Sequence, residues 1–263
     1  MKRACILIII LPLFVSCAKR GPTLPGQLKP GSAEYILNEG VFYLNQGRLD
    51  MARTKIQEAL KKKPNSKAAH YSMGVVYTYL RDFPAAIKHF KIVISMDPEY
   101  WDAYNSLGLI YIETGEFDLA RQNLLKAATS DKYRNPENAY VNLAMLEIKR
   151  EAYDNALRYV DKGISENRSF APLHNLRGII LEKQGNLEEA LYHYNKALSF
   201  LTEEDVNILL NVARIHHLLG QKGKAMDLLD QALGLAKDEF TTKRIRTLLR
   251  EVEGKKEDAA KED

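Results

Sequence analysis

The chain has 263 residues, 46% of them hydrophobic and 27% charged, with a formal charge of +4 that becomes +2 once Lys2 and Arg3 are set aside. A balance so near neutral offers no basic footprint for a nucleic-acid partner. Its two cysteines, Cys5 and Cys17, exclude a disulfide scaffold.

In chain order, residues 1–16 read first as an export signal. Lys2 and Arg3 precede an apolar run from Ala4 to Val15, shorter than the roughly 20 residues that span a bilayer. The run ends in Phe14-Val15-Ser16-Cys17, which resembles a bacterial lipoprotein processing box, with Phe14 where leucine is usual. The resemblance implies cleavage before Cys17 and acyl chains, palmitate among them, on that cysteine. Cys5 would leave with the signal, and a covalent lipid would be the only non-protein group expected. Two or more chains hold a protein on a membrane where one does not. Ala18 resembles the outer-membrane class of lipoproteins, so the expected location is the periplasmic face of the outer membrane. Residues 17–32 carry the lipidated cysteine and are then rich in proline and glycine, as a tether is.

From residue 33 a small residue and an alanine twelve positions on recur six times: Gly40/Ala52, Gly74/Ala86, Gly108/Ala120, Ala144/Ala156, Gly178/Ala190 and Ala213/Ala225. Successive pairs follow at 34, 34, 36, 34 and 35 residues. A helix-turn-helix unit of about 34 residues needs a small residue where its two helices cross. In the third unit Tyr104, Leu107, Gly108 and Tyr111 form one helical stripe. Thr114-Gly115-Glu116 makes the turn, and Phe117, Ala120, Leu124 and Ala127 form the second stripe. Pro64 and Pro98 stop second helices, since proline cannot donate to the helix ladder. These residues resemble the tetratricopeptide family. The resemblance implies an all-α, right-handed solenoid with repeats at 33–66, 67–100, 101–134, 137–170, 171–204 and 206–239. Phe240 to Glu253, with Ile245, Leu248, Leu249 and Val252, is the expected capping helix over the last repeat. Residues 254–263 form a charged tail.

Chemistry is hard to find. His70 and His174 share one repeat position, and His89 and His193 share another, which reads as helix packing. His216 and His217 are adjacent and point about 100° apart on a helix, so they cannot clasp a metal. Gly220-Gln-Lys-Gly223-Lys224 has two residues between its glycines where a phosphate loop has four. No catalytic residue, no metal ligand set and no enzymatic activity are expected.

The candidate site is therefore a surface. In the tetratricopeptide family the second, fifth, ninth and twelfth residues of each repeat's first helix line the inner groove. The fifth are Leu37, Tyr71, Asn105, Val141, Asn175 and Leu210, and the ninth are Val41, Val75, Leu109, Met145, Ile179 and Arg214. The twelfth are Leu44, Thr78, Ile112, Ile148, Glu182 and His217. Repeats one to four are mostly apolar there, and repeats five and six turn polar. The partner-binding groove is placed at Leu37, Val41, Leu44, Tyr71, Val75, Leu109, Ile112, Val141, Met145 and Ile148. Packing between neighbouring first helices explains the fifth and ninth positions equally well, so the twelfth positions Leu44, Ile112 and Ile148 are expected to be the most accessible. An exposed apolar stripe suits an extended or helical segment with apolar anchors.

The 36-residue step is the specific irregularity. Ser130-Asp131-Lys132-Tyr133-Arg134-Asn135-Pro136 precedes Asn142-Leu143-Ala144. This extended third-to-fourth junction resembles that of the type IV pilus lipoproteins called PilF, PilW or Tgl, the pilotins. The resemblance implies a monomeric, non-catalytic factor whose partner is a secretin subunit and which helps the secretin assemble in the outer membrane. The alternative is a periplasmic adaptor lipoprotein that docks cell-wall hydrolases or a protease.

Overall fold

The computed structural model describes residues 28–254, and Cys17 and the tail beyond Gly254 lie outside them. Among the described residues every regular element is a helix. They are α1 (Ala33–Asn45), α2 (Leu49–Lys62), α3 (Lys67–Tyr79), α4 (Phe83–Met96), α5 (Trp101–Thr114), α6 (Phe117–Ala128), α7 (Pro136–Lys149), α8 (Tyr153–Glu166), α9 (Ala171–Lys183), α10 (Leu187–Ser199), α11 (Val206–Leu218), α12 (Lys222–Leu235) and α13 (Glu239–Glu253). The chain forms two compact units, the first ending at Asn142 and the second beginning at Leu143.

Side-chain caps and proline set many of the helix ends. Ser32, Ser66, Asp82, Asp205 and Asp238 each accept a backbone N–H from the first turn that follows, satisfying a donor the helix cannot. Pro136 opens α7 at the position where a missing N–H costs nothing.

In the first unit α1 packs on α2, α3 on α4 and α5 on α6. Each second helix then packs on the next first helix, α2 on α3 and α4 on α5. In the second unit the same alternation runs α8–α9–α10–α11–α12–α13. Each unit is thus a solenoid run of tetratricopeptide helix pairs, and α13 covers the last pair, packing Ile245 and Val252 against Leu229 and Ala232 of α12.

Repeats are numbered below from the residue seven before each small residue, so that Ala33, Lys67, Trp101, Glu137, Ala171 and Val206 are position 1. Glycine at position 8 is required by position 24 of the same repeat, not by the alanine at position 20. A Cβ on Gly40 would lie 2.6 Å from Ile56, on Gly74 2.7 Å from Phe90, and on Gly178 2.6 Å from Tyr194; on Gly108 it would run into Leu124. Those four partners have no exposed surface. Where position 8 is Ala144 or Ala213, position 24 is Val160 or Leu229, never an aromatic residue.

Position 15 turns the chain between the two helices, and it is left-handed in all six repeats. Gly47, Gly115, Gly185 and Gly220 supply it without strain, while Arg81 (φ 59°) and Glu151 (φ 60°) adopt it against their side chains.

Candidate functional site

The inner positions divide by accessibility. Tyr71, Val75, Leu109, Ile112 and Val141 are buried. Leu37, Val41 and Leu44 of α1 are half-buried, as are Met145 and Ile148 in the second unit. Ile112 therefore corrects the expectation for twelfth positions: at 3% exposure it belongs to the packed interior, and only Leu44 and Ile148 of that set remain accessible. Leu37 and Leu44 also pack partly against the cluster of Ala52, Ile56, Ala69, Met73 and Val76, whereas Val41 is not among the residues on that cluster. In the first unit the accessible apolar groups from the expected groove are thus those of α1, and Val41 is the one least committed to the core.

Polar side chains at the fifth position face the next repeat. The Tyr71 hydroxyl lies 3.3 Å from Ser106 Oγ, Asn142 Nδ2 donates to Asn105 Oδ1 at 2.9 Å, and Asn211 Nδ2 donates to Asn175 Oδ1 at 3.1 Å. Each bond joins position 5 of one repeat to position 6 of the next. The sequence carried this signal as recurring polar pairs at 35–37-residue separations, but nothing in one repeat alone reveals it.

The polar turn of the second unit has a structural use. Arg214 Nε and Nη2 donate to the two Glu182 oxygens at 2.7 and 2.8 Å, a bidentate pair. The Tyr194 hydroxyl donates to the same carboxylate at 2.8 Å, and Arg214 also donates to Asn211. Burial, reinforced by the Glu182 charge, raises the Tyr194 phenol well above its ordinary value. Glu147, 1% exposed and paired with Arg150 at 3.3 Å, is a buried charge that periodicity did not flag.

The shared histidine positions bring the rings together. His70 Nε2 donates to the Pro64 carbonyl at 2.9 Å. A carbonyl can only accept, so the neutral ring keeps a lone pair on Nδ1, and His89 Nδ1 donates to it at 2.9 Å. In the second unit His174 Nε2 donates to the Arg168 carbonyl, and its ring stacks on His193 at 5.8 Å. Burial, then the charges of His70 and Lys88, lowers His89 to about 4; burial, then Arg177, His174 and Lys196, lowers His193 to about 4. These ring pairs join helix to helix, α3 to α4 and α9 to α10.

The comparisons with known proteins agree with this geometry. Tetratricopeptide-repeat family models match residues 71–139 and 169–238. The chain is 22% identical over 237 residues to the BBSome complex member BBS4 homolog of Drosophila melanogaster, covering 85% of this chain but only 48% of that one. It is 22% identical over 170 residues to the type IV pilus assembly protein PilF of Pseudomonas aeruginosa, covering 64% of this chain and 68% of PilF. It is 28% identical over 135 residues to the lipoprotein NlpI homolog of Haemophilus influenzae, covering 51% of this chain and 43% of that one. Among solved structures, that of PilW, described as a widely conserved type IV pilus biogenesis factor, superposes with a TM-score of 0.68 at 19% identity over 81% of this chain and 98% of PilW. Paired helices at a 34-residue step, a small residue at each crossing and these matches place the chain in the tetratricopeptide-repeat family, with similarity to the type IV pilus biogenesis proteins PilF and PilW.

Proposed function

We propose that this protein is a lipid-anchored, non-catalytic assembly factor that holds a secretin subunit of the type IV pilus machinery at the outer membrane. The observation that carries the reading is the similarity to PilF, which extends over two thirds of that protein. The processing box at Ser16-Cys17 supports the anchor, and the half-buried Leu37, Val41 and Leu44 supply apolar anchors for a partner segment. An apolar segment laid on this face gains affinity from burial, with polar neighbours fixing its register.

Val41→Lys tests the groove, because it adds charge at a half-buried side chain that does not pack on the cluster of Ala52, Ile56, Ala69, Met73 and Val76. Burying an apolar anchor of this size contributes roughly 1.5–3 kcal/mol, so its loss weakens binding of a purified secretin subunit by at least tenfold. In cells the secretin then stays monomeric and pili are missing while the lipoprotein remains at its normal level. Normal secretin multimers in Val41→Lys reject the groove. Normal multimers in a full deletion reject the pilus reading in favour of the adaptor reading, which the NlpI similarity supports over half of the chain.

A further inference from the structure

The first helix of the second, third, fifth and sixth repeats offers one side to the second helix before it, and three positions make that seat. In the third helix they are Ala69, Met73 and Val76, which cluster with Ala52 and Ile56 of α2. In α11 they are Ile208, Val212 and Ile215, which cluster with Ala190, Tyr194 and Ala197 of α10. These are positions 3, 7 and 10 of the repeat. Position 10 is Val76, Ile110, Leu146, Ile180 and Ile215 in repeats two to six, and none of these has any exposed surface.

In the first repeat the same positions are Tyr35, Glu39 and Phe42. Phe42 is 58% exposed and Tyr35 is half-exposed. The far end of the second unit is finished differently at its centre: α13 seats its own Ile245 and Val252 on α12 and turns Lys243, Arg246, Arg250 and Glu251 to solvent, with Phe240 exposed only at its first turn. An end face meant only to meet water does not need two aromatic side chains at its centre.

Position 7 says what kind of helix fits. It is apolar in repeats two, three, four and six (Met73, Leu107, Leu143, Val212), and where it is charged the preceding helix answers it. Arg177, position 7 of the fifth repeat, pairs with Asp161 of α8 at 2.5 Å. Glu39 holds that place in the first repeat, and Lys55 of its own repeat meets it at 2.9 Å with both side chains about one-third exposed. The complement for Glu39 on an incoming helix is a cation. A second copy docked antiparallel on the same face would set Tyr35 against Phe42 and Glu39 against Glu39, two like charges near the axis.

We infer that the Tyr35–Glu39–Phe42 face of α1 is a docking seat for an amphipathic helix of a partner protein, one with a stripe of small apolar residues and a lysine or arginine where α8 carries Asp161. The incoming helix takes the place of the second helix of a preceding repeat. This seat is separate from the groove proposed above, since Phe42 points about 100° away from Val41 around the helix.

The probe is a lactam-stapled peptide copying Tyr153–Glu166, whose buried stripe is Ala156, Val160 and Gly163, made with Asp161 and with Asp161→Lys. Fluorescence anisotropy against the chain from Cys17 onward reads binding. The expected result is saturable binding of the Asp161→Lys peptide, at least tenfold weaker for the Asp161 peptide, and abolished by Phe42→Asp. Glu39→Arg inverts the preference between the two peptides, and Val41→Lys leaves it intact, which separates this seat from the groove. No saturable binding at millimolar peptide, or binding indifferent to Phe42→Asp, overturns the inference. A fall in Tm in Phe42→Asp shows that the chain already covers the face itself and overturns it too. So does concentration-dependent dimerisation that Phe42→Asp removes, which assigns the face to a second copy.

Discussion

Gly74→Ala sets two well-defined effects against each other. Alanine favours a helix interior over glycine by roughly 0.8–1.0 kcal/mol, so propensity alone makes the variant more stable. The structure says otherwise. The new methyl would lie 2.7–2.9 Å from three ring carbons of Phe90, which has no exposed surface to retreat into, whereas carbon atoms pack comfortably at about 3.5–4.0 Å. Overpacking of this kind costs about 1–3 kcal/mol, so the net expectation is a loss of about 0–2 kcal/mol. The chain itself suggests the compensation, because the sixth repeat pairs Ala213 with Leu229. Phe90→Leu should therefore offset part of the damage, and the Gly74→Ala/Phe90→Leu cycle should show a favourable coupling of at least ~0.5 kcal/mol. Urea unfolding followed by circular dichroism measures all four proteins. A Gly74→Ala variant more stable than its parent, or strictly additive single changes, would refute the contact between positions 8 and 24 as the reason for glycine.

Other outcomes follow from single residues. Glu151→Gly relieves a left-handed non-glycine residue and should raise stability by about 1 kcal/mol, while Glu151→Ala should not; equal midpoints for the two would count against strain at position 15. His89 and His193 sit at about 4 in the fold against an ordinary value of 6.5, so the unfolded chain binds more protons than the fold between those values. Stability is then full above about pH 6.5 and falls as pH drops toward 4; Tm recorded over that range should lose much of its slope in His89→Gln/His193→Gln, and a parent profile flat in pH refutes the lowered values of His89 and His193. Cys17→Ala should leave the helical signal intact and move the protein out of the membrane fraction, and a variant still recovered with outer membrane would argue against the anchor.

The repeat register was legible because it is local. A small residue at position 8, apolar stripes at helical spacing and a turn at position 15 are each demands that one helix pair makes on its own residues, so six copies spell the unit out. The 36-residue step could be read for the same reason, with Pro136 starting α7. Accessibility of the inner face could not be read that way. Ile112 and Ile148 occupy the same repeat position, yet one is buried and the other half-buried, because exposure depends on which neighbours lie across each helix. The same holds for the bonds from position 5 to position 6, for the histidine rings that meet across a helix pair, and for Arg81 and Glu151 in a conformation glycine prefers. Phe42 is the sharpest case: its position is buried in every other repeat, yet Phe42 is 58% exposed, with no helix ahead of α1 among the described residues. Sequence by itself determined the unit and its period, since those follow from backbone geometry within a pair. Tertiary structure decided which apolar side chains are spent on packing and which are left for a partner, because burial belongs to the stack and not to any one repeat.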